Sequence, residues 1–286
     1  MNILITGSKG QLGAEITELS KNSQHNFHLK DRHALDITDQ DALNDFFSTN
    51  KLDYCVNCAA YTQVDKAESD ETMAFRINHE AVANLSILCK QHKVRLIHIS
   101  SDYVYHNELR RPLLENDPTN AQGIYARSKL MGDQAVLETN PEAIIIRTSW
   151  VYSSYGHNFV KTMIRLGESK DQLNIINDQI GTPTYANDLA KVIMHIIEQN
   201  DPDMKGIYHY SNEDQCSWYD FAMAIFEICN IDCKVTAIPS SAYPTPASRP
   251  SYSVLNKARI KAQLDIEIPH WRDSLERCID QLNLSK

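Results

Sequence analysis

The sequence begins with a short apolar stretch, Asn2–Thr6, that leads directly into three regularly spaced glycines, Gly7, Gly10 and Gly13. An apolar strand, a glycine turn and a periodic segment are the context of a phosphate-binding loop. Gly7 permits a tight turn, Gly10 lets the backbone approach a pyrophosphate, and Gly13 lets the helix pack on the strand. The helix would then present free N–H groups and its positive dipole end to the phosphates. This G-x-x-G-x-x-G pattern predicts a dinucleotide-binding start to the fold.

Further apolar strands alternate with helical segments along the first half of the chain. They include Asp53–Cys58, Val94–Ser100 and Ala143–Arg147. Strands that are apolar on both faces indicate a parallel sheet covered on both sides. We therefore expect an α/β fold, a Rossmann-type doubly wound sheet at residues 1–149. Residues 150–286 hold most of the prolines, and we expect a smaller substrate-binding lobe there, with segments returning to the first domain.

Composition excludes several function classes. The net charge of −9 and the absence of a Lys/Arg run argue against a nucleic-acid surface. No apolar run is long enough for a membrane span, and no signal peptide is evident, so a cytoplasmic protein is expected. Seven scattered cysteines indicate reduced thiols. Cys55 and Cys58 fall within a predicted strand, where this spacing puts their sulfurs on opposite faces, so we expect no metal site.

A candidate proton-transfer group lies between residues 101 and 129. Ser101 stands at the end of a predicted strand, and Tyr125 and Lys129 are four residues apart in a helical segment, hence on one helix face. A nearby ammonium favours phenolate, so Lys129 is expected to lower the pKa of Tyr125 and let it exchange a proton near neutral pH. Tyr-x-x-x-Lys alone also occurs by chance on solvated helices.

The segment after the second predicted strand, Phe27–Lys30, contains both Asp31 and Arg32. An acid there hydrogen-bonds the ribose 2′-hydroxyl of NADH, and a base favours the 2′-phosphate of NADPH, so the choice stays open. Asp36 and Ile37 are candidates for an adenine contact. Thr38 is a candidate cap for the next helix. A long helical stretch is predicted from Val64 to Gln91.

Several longer stretches resemble one family. Gly7-x-x-Gly10-x-x-Gly13 with Ser101, Tyr125 and Lys129 resembles the extended short-chain dehydrogenases/reductases. Within that superfamily the chain is similar to the dTDP-4-dehydrorhamnose reductases. The matching stretches are NCAAYTQVDKAE (57–68), SSDYVY (100–105), IYARSKLMGD (124–133), RTSWVY (147–152), NFVKTM (158–163), NDQIGTPT (177–184) and AYPTPASRPSYSVLN (242–256).

The resemblance implies reduction of the 4-keto group of dTDP-4-dehydro-L-rhamnose by NADPH or NADH. It makes Tyr125 the general acid, assigns Lys129 to the nicotinamide ribose and to lowering the pKa of Tyr125, and places Ser101 on the keto oxygen. The positions matching cofactor contacts are Gly10, Gln11, Leu12, Asp31, Asp36, Ile37, Ala60, Tyr61 and Thr62. The positions matching substrate contacts are Asp102 and Trp150, with Val64, Tyr103 and Asn158 as further candidates.

Two positions depart from the family pattern. Some members form a magnesium-bridged dimer through glutamates; Glu15 matches one position, but Asn187 replaces the second. Bound Mg²⁺ is therefore in doubt, and either a monomer or a homodimer is expected. Tyr61 stands where relatives often have His.

Two other functions are open on sequence grounds. One is a reductase of another nucleotide-linked 4-keto-6-deoxy sugar. The other is a non-catalytic dinucleotide-binding subunit, like the regulatory β subunit of a methionine adenosyltransferase.

Overall fold

The computed structural model describes residues 1–106 and 108–284. Its centre is a six-stranded parallel sheet. The strands of this sheet are β1 (Asn2–Thr6), β2 (Asn26–Lys30), β3 (Tyr54–Asn57), β4 (Arg95–Ser101), β5 (Ile144–Thr148) and β10 (Gly206–His209). Their order across the sheet is β10-β5-β4-β3-β1-β2. The expected doubly wound α/β fold is confirmed.

Helices cover both faces of the sheet. In the first half of the chain they are α1 (Gln11–Ser20), α2 (Gln40–Thr49), α3 (Val64–Ala67), α4 (Glu71–Phe75), α5 (Ala81–Gln91) and α6 (Gly123–Thr139). In the second half they are α7 (Phe159–Gly167), α8 (Ala186–Gln199), α9 (Trp218–Cys229), α10 (Ala258–Leu264) and α11 (Trp271–Leu284). Residues of α1 and α8 share one apolar core with the sheet, and residues of α2, α5 and α6 share another on the opposite face. Burial of these two apolar cores holds the layers together.

The strand order reverses between β1 and β3. After β1 the chain moves outward to β2, then returns to the other side of β1 to form β3. Ligands of open α/β sheets bind at the carboxyl ends of the strands beside such a reversal. The glycine loop after β1 and the segment after β3 both lie at this point, so the topology indicates a ligand site there.

A third apolar core lies in the second half of the chain and combines α7, α9 and α11. Short strands accompany it: β6 (Val151–Tyr152), β7 (Gln172–Ile176), β8 (Ile180–Gly181), β9 (Thr184–Tyr185), β11 (Cys216–Ser217) and β12 (Lys234–Ile238). They pair as β6 with β9, β7 with β12, and β8 with β11. Two segments of this half, α8 and β10, pack with the first half instead.

Three local expectations were wrong. Asp39 caps α2 in place of Thr38, because its carboxylate accepts a hydrogen bond from the Ala42 amide at 3.0 Å. The helical stretch expected from Val64 to Gln91 is interrupted after α3, and a single π-helical turn at Arg76–Glu80 joins α4 to α5. Cys58 lies beyond the end of β3, so the opposite-face argument for the two sulfurs does not apply.

Both Cys55 and Cys58 have free thiols. Within the described ranges, every helix is too short or too polar to traverse a lipid bilayer.

Candidate active site

Two connected cavities open at the carboxyl ends of the central strands. One, of 610 Å³, lies beside the end of β2, and the other, of 590 Å³, lies beside the ends of β4 and β5. Gly10, Cys58 and Ala60 line both. The two cavities together form a continuous cleft with the glycine loop at its middle, which is the shape required by an extended dinucleotide with a second ligand at one end.

The glycine loop provides a backbone cradle in that cleft. Gly7 has a φ of 63°, and a Cβ there would meet the Ala59 amide nitrogen at 2.7 Å. The Gly10 amide donates to the Gly7 carbonyl at 2.9 Å, which closes the turn. Gly10 is also the N-cap of α1, and within residues 1–106 and 108–284 that helix has no side-chain cap hydrogen bond. These residues therefore fit a pyrophosphate, for which free amides at a helix N-terminus are the usual partners.

Gly13 has a different part in the same loop. A Cβ at Gly13 would collide with the Gly7 carbonyl oxygen and with Ser8 Cα at 2.7 Å. It therefore allows α1 to pack against the loop, and it does not itself line the cleft.

The 610 Å³ cavity is lined by charged and apolar groups from the end of β2. The Asp31 carboxylate forms an ion pair with Lys9, and Arg32 Nε lies 3.3 Å from Asp36. Leu35 and Ile37 line the cavity beside them. Such a mixture suits an adenosine, because the ribose needs polar partners and the base needs an apolar wall.

A buried asparagine fixes the segment after β3. Asn78 accepts a hydrogen bond from the Tyr61 amide at 2.8 Å and donates to the Tyr61 carbonyl at 3.0 Å. Its amide also donates to the Ser128 hydroxyl of α6 at 3.0 Å. The backbone from Ala60 to Thr62, which lines the cleft, is thereby tied to the helix that carries Tyr125.

Tyr61 directs its phenol to the Asp70 carboxylate at 3.0 Å, in the 610 Å³ cavity. Tyr61 therefore makes an intramolecular hydrogen bond in this part of the cleft.

Ser101, Tyr125 and Lys129 all line the 590 Å³ cavity. Ser101 ends β4, and Tyr125 lies in the first turn of α6, which brings the serine hydroxyl and the phenol to the same cavity. Burial raises the pKa of Tyr125 to about 12, the nearby Ser101 hydroxyl opposes this, and Asp102 adds to it. The Tyr103 ring packs edge-on against Tyr125, with 5.5 Å between centroids.

The expected lowering of the Tyr125 pKa is therefore wrong. The Lys129 ammonium donates to the Ile99 carbonyl at 2.7 Å and lies 3.5 Å from His98 Nε2. Burial lowers the pKa of Lys129 itself to about 8, with Asp133 opposing the shift. Sequence spacing placed Lys129 on the correct helix face, but it could not show the desolvation that dominates both groups.

A chain of buried polar groups continues behind Lys129. The Thr6 hydroxyl donates to Asn57 Oδ1 at 2.6 Å, and Asn57 Nδ2 lies 3.1 Å from His98 Nδ1. Burial and the Lys129 charge hold the pKa of His98 well below its usual value, so the ring is neutral. Asp133, beyond His98, forms an ion pair with Arg147 at 2.9 Å. Sequence reasoning missed this chain because its members come from five separate elements.

Asp102 is a buried carboxylate beside the tyrosine. Its Oδ1 accepts from the Ser101 hydroxyl at 3.1 Å, and Oδ2 has no hydrogen-bond partner among the described residues. Burial raises the pKa of Asp102 to about 6, although the nearby Ser253 and Ser101 hydroxyls oppose the shift. An unpartnered buried acceptor that faces a cleft is available to a polar ligand.

Two tryptophans form a wall of the same cavity. Trp150, with a φ of 47°, stacks on Trp218 at 3.6 Å and an interplanar angle of 8°. A Cβ at Gly181 would lie 2.6 Å from the Trp150 ring, so only glycine leaves room for the indole. Val64 and His157 line the cavity as well. Trp218 was not anticipated, since nothing in its local sequence distinguishes it from a core residue.

Gln11 and Asn158 join the two halves of the chain. Asn158 Nδ2 donates to Gln11 Oε1 at 2.9 Å and to the Ser153 carbonyl at 2.7 Å, and Asn158 Oδ1 caps α7 through the Lys161 amide. Gln11 and Leu12 line the 590 Å³ cavity, whereas Asn158 does not. The structure thus places Asn158 behind the cleft.

Glu15 and Asn187, the residues considered for magnesium, contact each other in the structure. Glu15 is buried, and its two oxygens accept from the Ser153 hydroxyl at 2.6 Å and from Asn187 Nδ2 at 2.9 Å. No cluster of three His, Cys, Asp or Glu side chains suited to a metal occurs in the described part of the chain. Both carboxylate oxygens of Glu15 thus accept hydrogen bonds from protein donors.

Comparison with known proteins gives one consistent result. The family model of the RmlD substrate binding domain matches residues 1–284. The dTDP-4-dehydrorhamnose reductase of Aggregatibacter actinomycetemcomitans is 36% identical over 285 residues, covering 96% of this chain and 97% of that protein.

Solved structures agree with this match. The dTDP-4-dehydrorhamnose reductase structure from Clostridium acetobutylicum is 40% identical with a TM-score of 0.94, covering 99% of this chain and 100% of that chain. The one from Bacillus anthracis, in complex with NADP, is 34% identical with a TM-score of 0.93, covering 98% and 99%.

Proposed function

The chain belongs to the RmlD substrate binding domain family, and from that premise we propose that it reduces a nucleotide-linked ketosugar with a nicotinamide cofactor. The reaction is reduction of the 4-keto group of dTDP-4-dehydro-L-rhamnose to dTDP-L-rhamnose, a step of dTDP-rhamnose biosynthesis. The observation that carries this proposal is the meeting of Ser101, Tyr125 and Lys129 in one cavity that continues into the glycine cradle.

The glycine loop, the first turn of α1 and the segment 60–62 would hold the cofactor along the cleft. When bound there, the reduced nicotinamide supplies the hydride for the sugar carbon. The sugar nucleotide would lie against Trp150, Val64, Asp102 and Tyr103, which line the cavity around the tyrosine.

Tyr125 acts as the proton donor. With a pKa near 12 the phenol is protonated throughout the neutral range, so it is ready to donate before each turnover. An alkoxide that develops on the sugar oxygen is a stronger base than a phenolate, so transfer of the phenol proton to it is favourable. The Ser101 hydroxyl, which donates to Asp102 at 3.1 Å, would turn to donate a hydrogen bond to the same oxygen and stabilise its developing charge.

Lys129 has N–H donors available to bind the ribose of the cofactor. An ammonium carries three N–H groups, and the Ile99 carbonyl accepts one of them. The others are available to the hydroxyls of the cofactor's ribose. A bound ribose would also fill space beside the ammonium, and the lysine charge would favour the phenolate left after proton transfer.

We assign residues 1–149 to the cofactor-binding domain and residues 150–286 mainly to the substrate lobe. Packing of α8 and β10 with the first half supports the expectation that segments of the lobe return to that domain. The enzyme works in the cytoplasm as a monomer or homodimer without a structural Mg²⁺. Free thiols at all seven cysteines support a reducing compartment.

The test is oxidation of NADPH or NADH with dTDP-4-dehydro-L-rhamnose generated in place by the enzymes that precede this step. Turnover that yields dTDP-L-rhamnose is expected, and Tyr125→Phe should lower kcat by roughly 10²–10⁴ while cofactor binding persists. Turnover of a UDP-linked ketosugar in preference would change the substrate assignment. Cofactor binding without turnover of any ketosugar would favour a regulatory subunit.

A further inference from the structure

A histidine borders the Lys129 ammonium from the interior of the protein. His98 belongs to β4 and is fully buried, and its Nε2 lies 3.5 Å from Lys129 Nζ. Lys129 lines the 590 Å³ cavity, whereas His98 lines neither cavity of the cleft. The direction of the lysine donors therefore depends on whether His98 Nε2 accepts from the ammonium or faces it with a proton of its own.

The neighbours of the His98 ring determine which of its nitrogens carries the proton. The Thr6 hydroxyl donates to Asn57 Oδ1 at 2.6 Å, and it accepts from the Ala59 amide at 3.4 Å. The other polar atom of the Asn57 side chain, Nδ2, lies 3.1 Å from His98 Nδ1. Because an amide nitrogen can donate but not accept, Nδ1 accepts and carries no proton. The one proton of a neutral imidazole is then on Nε2.

The proton on Nε2 faces a cation on one side and a carboxylate on the other. Burial, followed by the charge of Lys129, holds the pKa of His98 well below its usual value, so the ring is neutral. An ammonium has no lone pair, so Lys129 cannot accept from this N–H group. Asp133 Oδ1 lies 3.9 Å from Nε2 and has no hydrogen-bond partner in the part of the chain that the structure describes. The ring proton is thus attracted toward Asp133 and away from Lys129.

This arrangement leaves the ammonium with free donors. One of its three N–H groups donates to the Ile99 carbonyl at 2.7 Å, and His98 accepts none of the others. The two remaining groups can be satisfied by a ligand in the cleft. The His98 N–H group would instead bond the lone pair of a neutral lysine, so it favours loss of the lysine proton, whereas the charge of Asp133 favours its retention.

Other titratable groups also surround Lys129. Tyr125 and Asp133 lie four residues before and after it on α6, and Arg147 of β5 pairs with Asp133 at 2.9 Å. The titratable side chains that line the 590 Å³ cavity with it are Cys58, Asp102, Tyr103, Tyr125 and His157. Burial raises the pKa of Cys58 and of Tyr103, so both are neutral at neutral pH. A ligand in the cavity would screen these groups, whereas His98 and Asp133 stay beside the ammonium.

We infer that His98, which Asn57 holds with its proton on Nε2, is a positioning residue that leaves the free donors of Lys129 to the ribose of the cofactor. The inference rests on the proposed function, because it takes the partner of Lys129 to be that ribose. It adds two residues to the reaction, and neither of them lines the cleft.

The position of the ring proton is measured by NMR on the intact protein with ¹⁵N-labelled histidine. Protonated and unprotonated ring nitrogens have well-separated chemical shifts, and the His98 signals are assigned by their loss in His98→Gln. We expect a neutral ring with its proton on Nε2 at neutral pH. A proton on Nδ1, or a charged ring, would overturn the inference whether or not the protein reduces a sugar.

Asn57→Asp reverses the donor pattern in nearly the same shape. A carboxylate accepts from both Thr6 and His98, so the ring proton should move to Nδ1, and Nε2 should accept from Lys129. We expect the Kd of NADPH to rise about tenfold, because a lysine donor turns inward. The alkaline limit of kcat/KM for NADPH should move up by about one pH unit, because that bond stabilises the ammonium.

Asn140→Asp is the matched control. Asn140 is buried at the C-cap of α6, and eleven residues of helix put it about 16 Å from Lys129. It adds the same charge without touching His98, so the Kd of NADPH and the alkaline limit should not change. A shifted alkaline limit in Asn57→Asp with an unchanged Kd would show an effect of charge alone and would overturn the inference.

The remaining outcomes separate the inference from the proposed function. Equal Kd values of NADPH for the native protein and Asn57→Asp would overturn the inference and leave the reductase assignment intact. Tight NADPH binding without turnover of a ketosugar would overturn the reductase assignment, while the histidine signals and the Kd values still decide the inference. Binding of no dinucleotide would overturn both.

Discussion

Asp65 and Arg249 are joined by two parallel hydrogen bonds, from Nη1 to Oδ1 at 3.0 Å and from Nη2 to Oδ2 at 2.7 Å. The Ala247 amide adds a third contact to Oδ1 at 3.2 Å. Asp65 belongs to α3, directly after Val64 at the cleft, and Arg249 belongs to the proline-rich segment near the C-terminus. The pair therefore fixes a distant segment against the wall of the 590 Å³ cavity.

Breaking this pair is predicted to weaken sugar-nucleotide binding. Arg249→Ala should raise KM for the ketosugar by roughly five- to tenfold, because a planar two-point pair orients both partners. The Kd of NADPH should not change. Lys205→Ala, which breaks the exposed pair with Glu142 at 3.1 Å, is the control and should leave both constants unaltered. Equal KM values for the two variants would contradict this role.

The charge of Lys129 is predicted to set the alkaline limit of activity. Its ammonium, with a pKa near 8, loses its proton as pH rises through that value, and the donors for the ribose are lost with it. Because kcat/KM reports the free enzyme, kcat/KM for NADPH should decline above pH 8. Lys129→Arg should be slower but should lack this alkaline decline, since guanidinium stays charged. A decline at the same pH in both proteins would assign it to another group.

The buried Asp102 carboxylate is predicted to lower the free energy of unfolding. Its pKa is raised to about 6, so the folded state disfavours the ionised form. The resulting loss of stability is fully present above pH 6 and fades as the pH falls toward the pKa of the carboxyl in the unfolded chain. Asp102→Asn should raise the free energy of unfolding by about 1–3 kcal/mol at pH 8 and by clearly less at pH 5. Denaturant titrations at the two pH values test this. The same change in stability at both would contradict the burial argument.

Gly181→Ala is predicted to displace the Trp150 ring, because the new methyl group would lie 2.6 Å from it. The Trp150–Trp218 stack would open, KM for the ketosugar would rise, and stability would fall by about 1–3 kcal/mol. Gly167→Ala is a control of the same size: its methyl meets the Phe226 ring at 2.6 Å, in the apolar core of α7 and α9. It should destabilise the protein without changing KM. A raised KM in both variants would show a general loss of structure instead.

The features that could be predicted from the sequence are those coded locally. The glycine loop, the strand that ends at Ser101 and the helix that carries Tyr125 and Lys129 each follow from spacing within a few residues. The α/β fold follows because apolar strands alternate with helices along the chain.

The features that were missed depend on residues far apart in the chain. Lys9 pairs with Asp31, Trp150 stacks on Trp218, and Arg249 pairs with Asp65 only after the fold is formed. The direction of the Tyr125 pKa shift was wrong for a related reason: spacing gives the position of a charge, but burial decides the shift. The Thr38 cap failed because two adjacent residues were both suitable, and the helix begins one residue later.

The most direct test of the central claim is the transfer of label from the reduced cofactor to the sugar. The protein is incubated with dTDP-4-dehydro-L-rhamnose and NADPH in which both hydrogens of the nicotinamide C4 are replaced by deuterium, and the product is analysed by NMR. The account predicts dTDP-L-rhamnose with deuterium at sugar C4 from the native protein, and almost none from Tyr125→Phe in the same time. Unlabelled product, or equal labelling by the two proteins, would contradict it.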